Sequence, residues 1–203
     1  MTHPFKTAES RFHRDLVEIQ ESSGIKLDLR YCGNNNFMNE DLYLGFKKAF
    51  LHQLAFAKLN QAVKILQTGH PKYRFIIYDA LRPRSVQKRM HAFVANTKME
   101  NYVADPLKGS MHNFGMAIDL GIQTKLGKIL DMGTEFDDFS DLAQPQLEEK
   151  LLATGQLTQV QVRNRRLLRE VMETAGFEQL PHEWWHFNAM PAEKVRREFL
   201  IVE

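Results

Sequence analysis

His112 and Asp119 lie seven residues apart in the segment Ser110-Met-His-Asn-Phe-Gly-Met-Ala-Ile-Asp119, and no single regular element brings both side chains to one point. On one continuous helix they would share a face but stand roughly 10 Å apart along the axis. On a straight strand the gap would be roughly 23 Å, and the odd offset would send them to opposite faces. If the two are to meet, the chain has to turn between them. Asn113-Phe-Gly115 is the predicted turn, because Gly takes positive φ freely and Asn does so better than most residues. Met116 to Ile122 then reads as a buried strand carrying Asp119 in its middle. A carboxylate inside an apolar strand is costly unless it is paired or bound to metal.

The reason for the two to meet comes from a second segment, Glu183-Trp-Trp-His186. It follows Pro181, which argues against a helix running through it. Glu183 and His186, three apart, share a face only in a turn-like conformation, so an irregular turn or bulge is expected there. Trp184 and Trp185 could form a rigid, water-poor wall in which charges act more strongly. The two segments together offer two imidazoles, one carboxylate and a spare glutamate. A hydrolytic metal site needs that set: three protein ligands, one open position, and an unligated carboxylate to take a proton from water. The chain therefore reads as a metallohydrolase.

Composition narrows the alternatives. The 203 residues favour one domain, taken as 1–203, with enough length for a self-sufficient core. A formal net charge of +2 with mixed signs gives no field suggesting nucleic acid or an anionic membrane as partner. Cys32 is the lone cysteine, so no internal disulfide can form. The first twenty residues contain no apolar signal-peptide core, so the expected location is the cytoplasm, or the periplasm if a leader has been removed.

Periodicity predicts a helix from about Gly45 to Leu66, with Phe46, Ala49, Phe50, Leu54, Ala57 and Val63 as its apolar stripe. Arg74 to Asp79 reads as a strand, followed beyond Leu81-Arg-Pro83 by a helix through about Val94, which puts Arg82 at a strand-to-helix junction. Gln161 to Thr174 is a further helix, stopped by Gly176. Its arginines Arg163, Arg165, Arg166 and Arg169 read as a solvated face beside Glu170 and Glu173. Asp79 has a structural alternative as the cap of the helix after Pro83. The remaining histidines, His3, His13, His52, His70, His91 and His182, carry no ligand pattern, although His182 adjoins Glu183.

The two motifs resemble those of the zinc D-alanyl-D-alanine dipeptidases of the vancomycin-resistance type, within the wider D,D-peptidase and hedgehog-like fold. Asp28-Leu-Arg-Tyr31 with Asn36-Phe37, Asp79-Ala-Leu-Arg-Pro83, Met132-Gly133 with Phe136-Asp137, and Asn164 to Arg169 with Gly176-Phe-Glu178 follow the family order, so the likeness runs from about Asp28 to Phe187. It implies an α+β fold with a central, mostly antiparallel sheet flanked by helices. It also implies one zinc ion per chain on His112, Asp119 and His186, with Glu183 as general base and acid. Arg82, with the zinc, would stabilise the oxyanion. Tyr31, Asp79, Ser110 and Asp137 fall where the family shapes its substrate pocket, and Asp137 is the preferred acceptor for a dipeptide's ammonium. Met111 stands where the resistance enzymes carry a second serine, exchanging a polar contact for an apolar one.

The expected substrate is D-alanyl-D-alanine or a similar small D,D-dipeptide. The competing readings are a D,D-carboxypeptidase or endopeptidase acting on longer peptidoglycan peptides, and a hedgehog-like domain whose zinc serves binding only. The last explains neither Glu183 nor Arg82, since a structural zinc usually has four protein ligands and needs no base.

Overall fold

The computed structural model describes residues 15–203. Its strands are β1 (Leu16–Ile19), β2 (Ile25–Leu27), β3 (Ala49–His52), β4 (Tyr73–Asp79), β5 (Ala117–Thr124), β6 (Glu178–Gln179) and β7 (His186–Asn188). Its α-helices are α1 (Gln53–Gly69), α2 (Arg84–Val94), α3 (Glu148–Ala153), α4 (Gln159–Thr174) and α5 (Ala192–Glu198). A five-stranded sheet runs in the order β2-β4-β5-β7-β6, parallel only between β2 and β4, while β1 and β3 form a separate antiparallel pair. This is the expected α+β architecture. No described helix is long and apolar enough to cross a membrane.

The central strands read as near-continuous apolar runs because they are covered on both faces: β5 is buried from Ala117 to Gln123 and β4 from Phe75 to Asp79. Their pairing contains the feature that builds the site. Ile77 stands opposite Leu120, but the register then shifts, and Asp79 pairs with Asp119. One extra residue in β4 therefore moves Asp79 off the face of Phe75 and Ile77 and onto the face of Asp119. On the other side of β5, Asp119 pairs with His186. Three chemically active residues thus occupy one row across β4, β5 and β7.

Two sequence readings need correction. The helix expected from Gly45 begins at Gln53, because residues 49–52 pair with β1, Ala49 against Ile19 and His52 against Leu16. In β3 only Ala49 and Leu51 are buried, a period of two. The buried stripe of α1 is Ala55, Leu59, Ala62 and Leu66, whereas Leu54 and Ala57 face solvent. Phe46, Ala49 and Phe50 happen to have helix-like spacing, and nothing local separates that from strand alternation in so short a run.

The second correction concerns the basic face of α4. Arg163 and Arg166 are exposed, but Arg165 is completely buried. Its Nε donates to the Met132 carbonyl and a terminal nitrogen donates to the Leu142 carbonyl at 2.8 Å. It therefore clasps both ends of the loop that carries Asp137. Glu148 lies 3.9 Å from Arg165 and binds Arg169 on its other oxygen. Burying a guanidinium is tolerable only with such partners, and truncating it leaves the carbonyls and Glu148 without them. Arg165→Met is expected to lose about 3 kcal/mol of stability in urea denaturation, and a loss below about 1 kcal/mol would mean that the clasp contributes little.

Candidate active site

Ser110 caps a short 3-10 turn, Met111–Phe114, and Gly115 follows at φ 65°, so the turn expected between His112 and Asp119 is present. A Cβ on Gly115 would come within 2.8 Å of the His52 backbone nitrogen, so close packing and left-handed backbone both demand glycine here. The turn is tied to the Arg82 segment. The Arg82 amide donates to the His112 carbonyl at 3.1 Å, and Asn113 Nδ2 donates to the Arg82 carbonyl at 2.7 Å. His186 opens β7 directly after a turn at Trp184 and Trp185, leaving Glu183 in irregular backbone, as anticipated.

These elements bring His112, Asp119 and His186 together, all buried. His112 Nε2 lies 3.1 Å from His186 Nδ1 and 3.2 Å from Asp119 Oδ1, and His186 Nδ1 lies 3.0 Å from Asp119 Oδ1. Ligands placed tetrahedrally at about 2 Å from an ion are separated by roughly 3.3 Å, so the triangle has the right size. The outer hydrogen bonds set its protonation. His112 Nδ1 faces the Ala80 carbonyl at 2.6 Å, and a carbonyl only accepts, so that nitrogen carries the proton. His186 Nε2 faces Asn188 Oδ1 at 2.9 Å in the same sense. With the imidazoles neutral, three lone pairs converge on one point, an arrangement satisfied only by a cation. Burial opposes ionisation of Asp119; positive charge at the centre of the triangle, whether a bound cation or a proton on the facing imidazole nitrogens, holds its carboxyl far below the usual range. The donor set fits a divalent metal.

Glu183 is not part of the triangle but adjoins it, with Oε2 3.7 Å from His186 Nδ1. Burial pushes its carboxyl up to about 7; Asp119 and Asp137 add to the rise, and His186 and Arg82 oppose it. A carboxyl with that value can exchange protons near neutral pH.

Arg82 is held on three sides. Its Nε and one terminal nitrogen bind Asp79 Oδ2 at 2.9 and 2.8 Å, the other terminal nitrogen binds Gln87 Oε1 at 3.0 Å, and the Tyr31 ring lies 5.0 Å below it. Asp79 is also bound by the Tyr43 hydroxyl at 2.6 Å. It does not line the cavity and does not cap α2, whose N-cap, Pro83, has no side-chain bond. Its visible role is to fix Arg82.

A cavity of about 200 Å³ lies over the triangle and is lined by Tyr31, Arg82, Ser110, Asp137, Glu183 and Trp185 among others. This is small beside the roughly 300–1,000 Å³ of drug-sized pockets. Met111 lines it too, whereas Trp184 points away, its indole N–H donating to Thr134 Oγ1 at 2.8 Å. Asp137 sits at φ 63°, a strained conformation for a non-glycine residue. Its Oδ1 accepts from the Tyr31 hydroxyl at 2.9 Å, while Oδ2 is buried without a partner among the described residues. Burial pushes the Asp137 carboxyl up to about 7, with Tyr31 and Arg82 lowering it and Asp119 and Asp79 raising it. Burial likewise keeps the Tyr31 phenol protonated, so it donates.

The expected site residues thus gather around one cavity, with Asp79 one layer behind. Among the other histidines, His52 caps α1 and His182 is exposed; neither joins the cluster, and His3 and His13 lie outside the described residues. Sequence reasoning missed Tyr43, Gln87 and Asn188. For Asn188 a signal existed, since it stands two residues after His186 on the same strand face. Tyr43 and Gln87 reach Asp79 and Arg82 only through tertiary packing. Removal of the acceptor that orients His186, by Asn188→Ala, is expected to weaken metal binding 10–100-fold in competition with a chromophoric chelator.

The family model described as D-Ala-D-Ala dipeptidase, peptidase family M15, matches residues 13–203. The D-alanyl-D-alanine dipeptidase of Escherichia coli K12 is 30% identical over 164 residues, covering 81% of this chain and 78% of that one. Its namesake from Synechocystis is 29% identical over 177 residues, covering 72% and 71% of the two chains. That of Enterococcus faecium is 27% identical over 185 residues, covering 81% and 85%. With a site suited to a metal and this match over nearly its whole length, the chain belongs to the D-Ala-D-Ala dipeptidase family and is a peptidase.

Proposed function

We propose that the protein is a zinc-dependent dipeptidase hydrolysing D-alanyl-D-alanine or a closely similar small D,D-dipeptide. The observation that carries this reading is the unpartnered Asp137 Oδ2, buried in a cavity of about 200 Å³ beside the donor triangle and Glu183. A buried carboxylate with one free oxygen fits a free ammonium, and the small volume fits two small residues in preference to a peptidoglycan stem.

His112 Nε2, Asp119 Oδ1 and His186 Nδ1 would hold the zinc. When bound, the ion would polarise the scissile carbonyl and make water more acidic. The remaining work falls to the chain itself. Glu183 accepts the proton of the attacking water on a carboxylate oxygen and returns it to the leaving amine. Arg82, immobilised by Asp79 and Gln87, presents a charge that never deprotonates to the oxyanion as it develops. Asp137 and Tyr31 hold the substrate ammonium, and the Ser110 hydroxyl and Met111 complete the pocket wall. Trp185 contributes an apolar part of the cavity wall.

Glu183→Gln is expected to lower kcat by about 10²–10⁴-fold while metal content, read by elemental analysis, stays the same. Turnover close to wild type would remove Glu183 from its role. Asp137→Asn is expected to raise KM for D-alanyl-D-alanine by about tenfold or more, with a smaller effect on kcat. Because the ionised Asp137 is the form that accepts an ammonium, KM of the wild type should fall as pH rises through about 7. The variant should show no such fall in steady-state kinetics.

A further inference from the structure

A dipeptide is a zwitterion, and Asp137 answers only its ammonium. Among the charged residues that line the cavity, Asp119, Asp137 and Glu183 are acidic. Arg82, fixed by Asp79 and Gln87, is committed to the developing oxyanion. Among the described residues, one lining cation remains. Arg196 of α5 is exposed at the cavity rim, where its Nε donates to the Lys108 carbonyl at 3.1 Å and one terminal nitrogen donates to the Gly109 carbonyl at 3.2 Å. Both partners are neutral, so the bonds fix the guanidinium without cancelling its charge. The second terminal nitrogen has no protein partner among the described residues.

The place of attachment matters as much as the charge. Gly109 precedes Ser110, whose side chain lines the same cavity, and His112 of the donor triangle follows two residues later. In a dipeptide the carboxylate is separated from the scissile carbonyl by only the amide nitrogen and one Cα. A group that binds it must therefore stand close to the segment that supplies the catalytic centre, and Arg196 is anchored to that segment.

We propose that Arg196 is a specificity-determining residue that binds the C-terminal carboxylate of the substrate. It confines cleavage to peptides ending one residue beyond the scissile bond. The guanidinium suits the task because its planar donors match a carboxylate and its charge persists at every physiological pH. This inference rests on the dipeptidase reading.

The test compares zinc-loaded wild type, Arg196→Met and Arg196→Lys on D-alanyl-D-alanine and on its C-terminal amide, which lacks the negative charge. Wild type should favour the acid by at least tenfold in kcat/KM. Arg196→Met should lose about 10–100-fold on the acid, mostly through KM, and less than threefold on the amide. Arg196→Lys should recover part of the preference. If the amide is turned over too slowly for a rate, its inhibition constant against the acid takes the place of kcat/KM. Equal losses on both substrates would make Arg196 a scaffold for Lys108 and Gly109 and overturn the proposal, as would an undiminished preference in Arg196→Met. Wild type that cleaves neither compound would instead remove the dipeptidase reading, and this inference with it.

Discussion

Three electron-rich atoms, His112 Nε2, His186 Nδ1 and Asp119 Oδ1, converge within 3.0–3.2 Å of one another in a buried position, and without a shared cation that arrangement would push itself apart. Much of the surrounding structure serves to hold it. The pairing of β5 with β7 sets Asp119 beside His186, the capped turn at Ser110 with its glycine delivers His112, and the Ala80 carbonyl and Asn188 fix the two imidazole tautomers. Binding energy of a metal at such a centre is also folding energy, because the preformed triangle does not exist in the unfolded chain.

Around this centre the charges are arranged in layers. The extra residue in β4 turns Asp79 onto the site face, where it anchors Arg82, and Tyr43 satisfies the other oxygen of Asp79. Arg82 is thus rigid at the cavity wall, which is what preorganised stabilisation of a developing charge requires. Opposed environments separate the carboxylates. Asp119 is held ionised by positive charge at the centre of the triangle, whereas burial raises both Glu183 and Asp137 to about 7. One fold so provides a permanent anion for a metal and two carboxyls that exchange charge near neutral pH.

The loop from Met132 to Leu142 links stability to the shape of the cavity. It places Asp137 in a left-handed conformation and packs Phe136 against Tyr31, Tyr78 and Trp185, while Arg165 of α4 clasps its two ends. The strain at Asp137 persists because these contacts over-determine the loop. A buried arginine far from the chemistry is thereby part of how the cavity keeps its shape.

From the sequence, His112, Asp119 and His186 were legible as donors able to meet, with Glu183 as a spare carboxylate beside them, because the two motifs together and the family resemblance pointed to the same set. The turn at Gly115 followed from the need for the first two to meet, β4 and β5 from their apolar runs, and α2 and α4 from the boundaries set by Pro83 and Gly176. The short strand β3 was hidden inside an apparent helix, since its alternation over four residues is no stronger than an accidental three-to-four spacing nearby. Only the tertiary structure decided that Arg165 is buried, that Asp79 serves Arg82, and that Tyr43, Gln87 and Arg196 reach the site or its supports. Each of these depends on which segment lies opposite another, and in a sheet with a bulge a single residue of register reverses every side chain that follows.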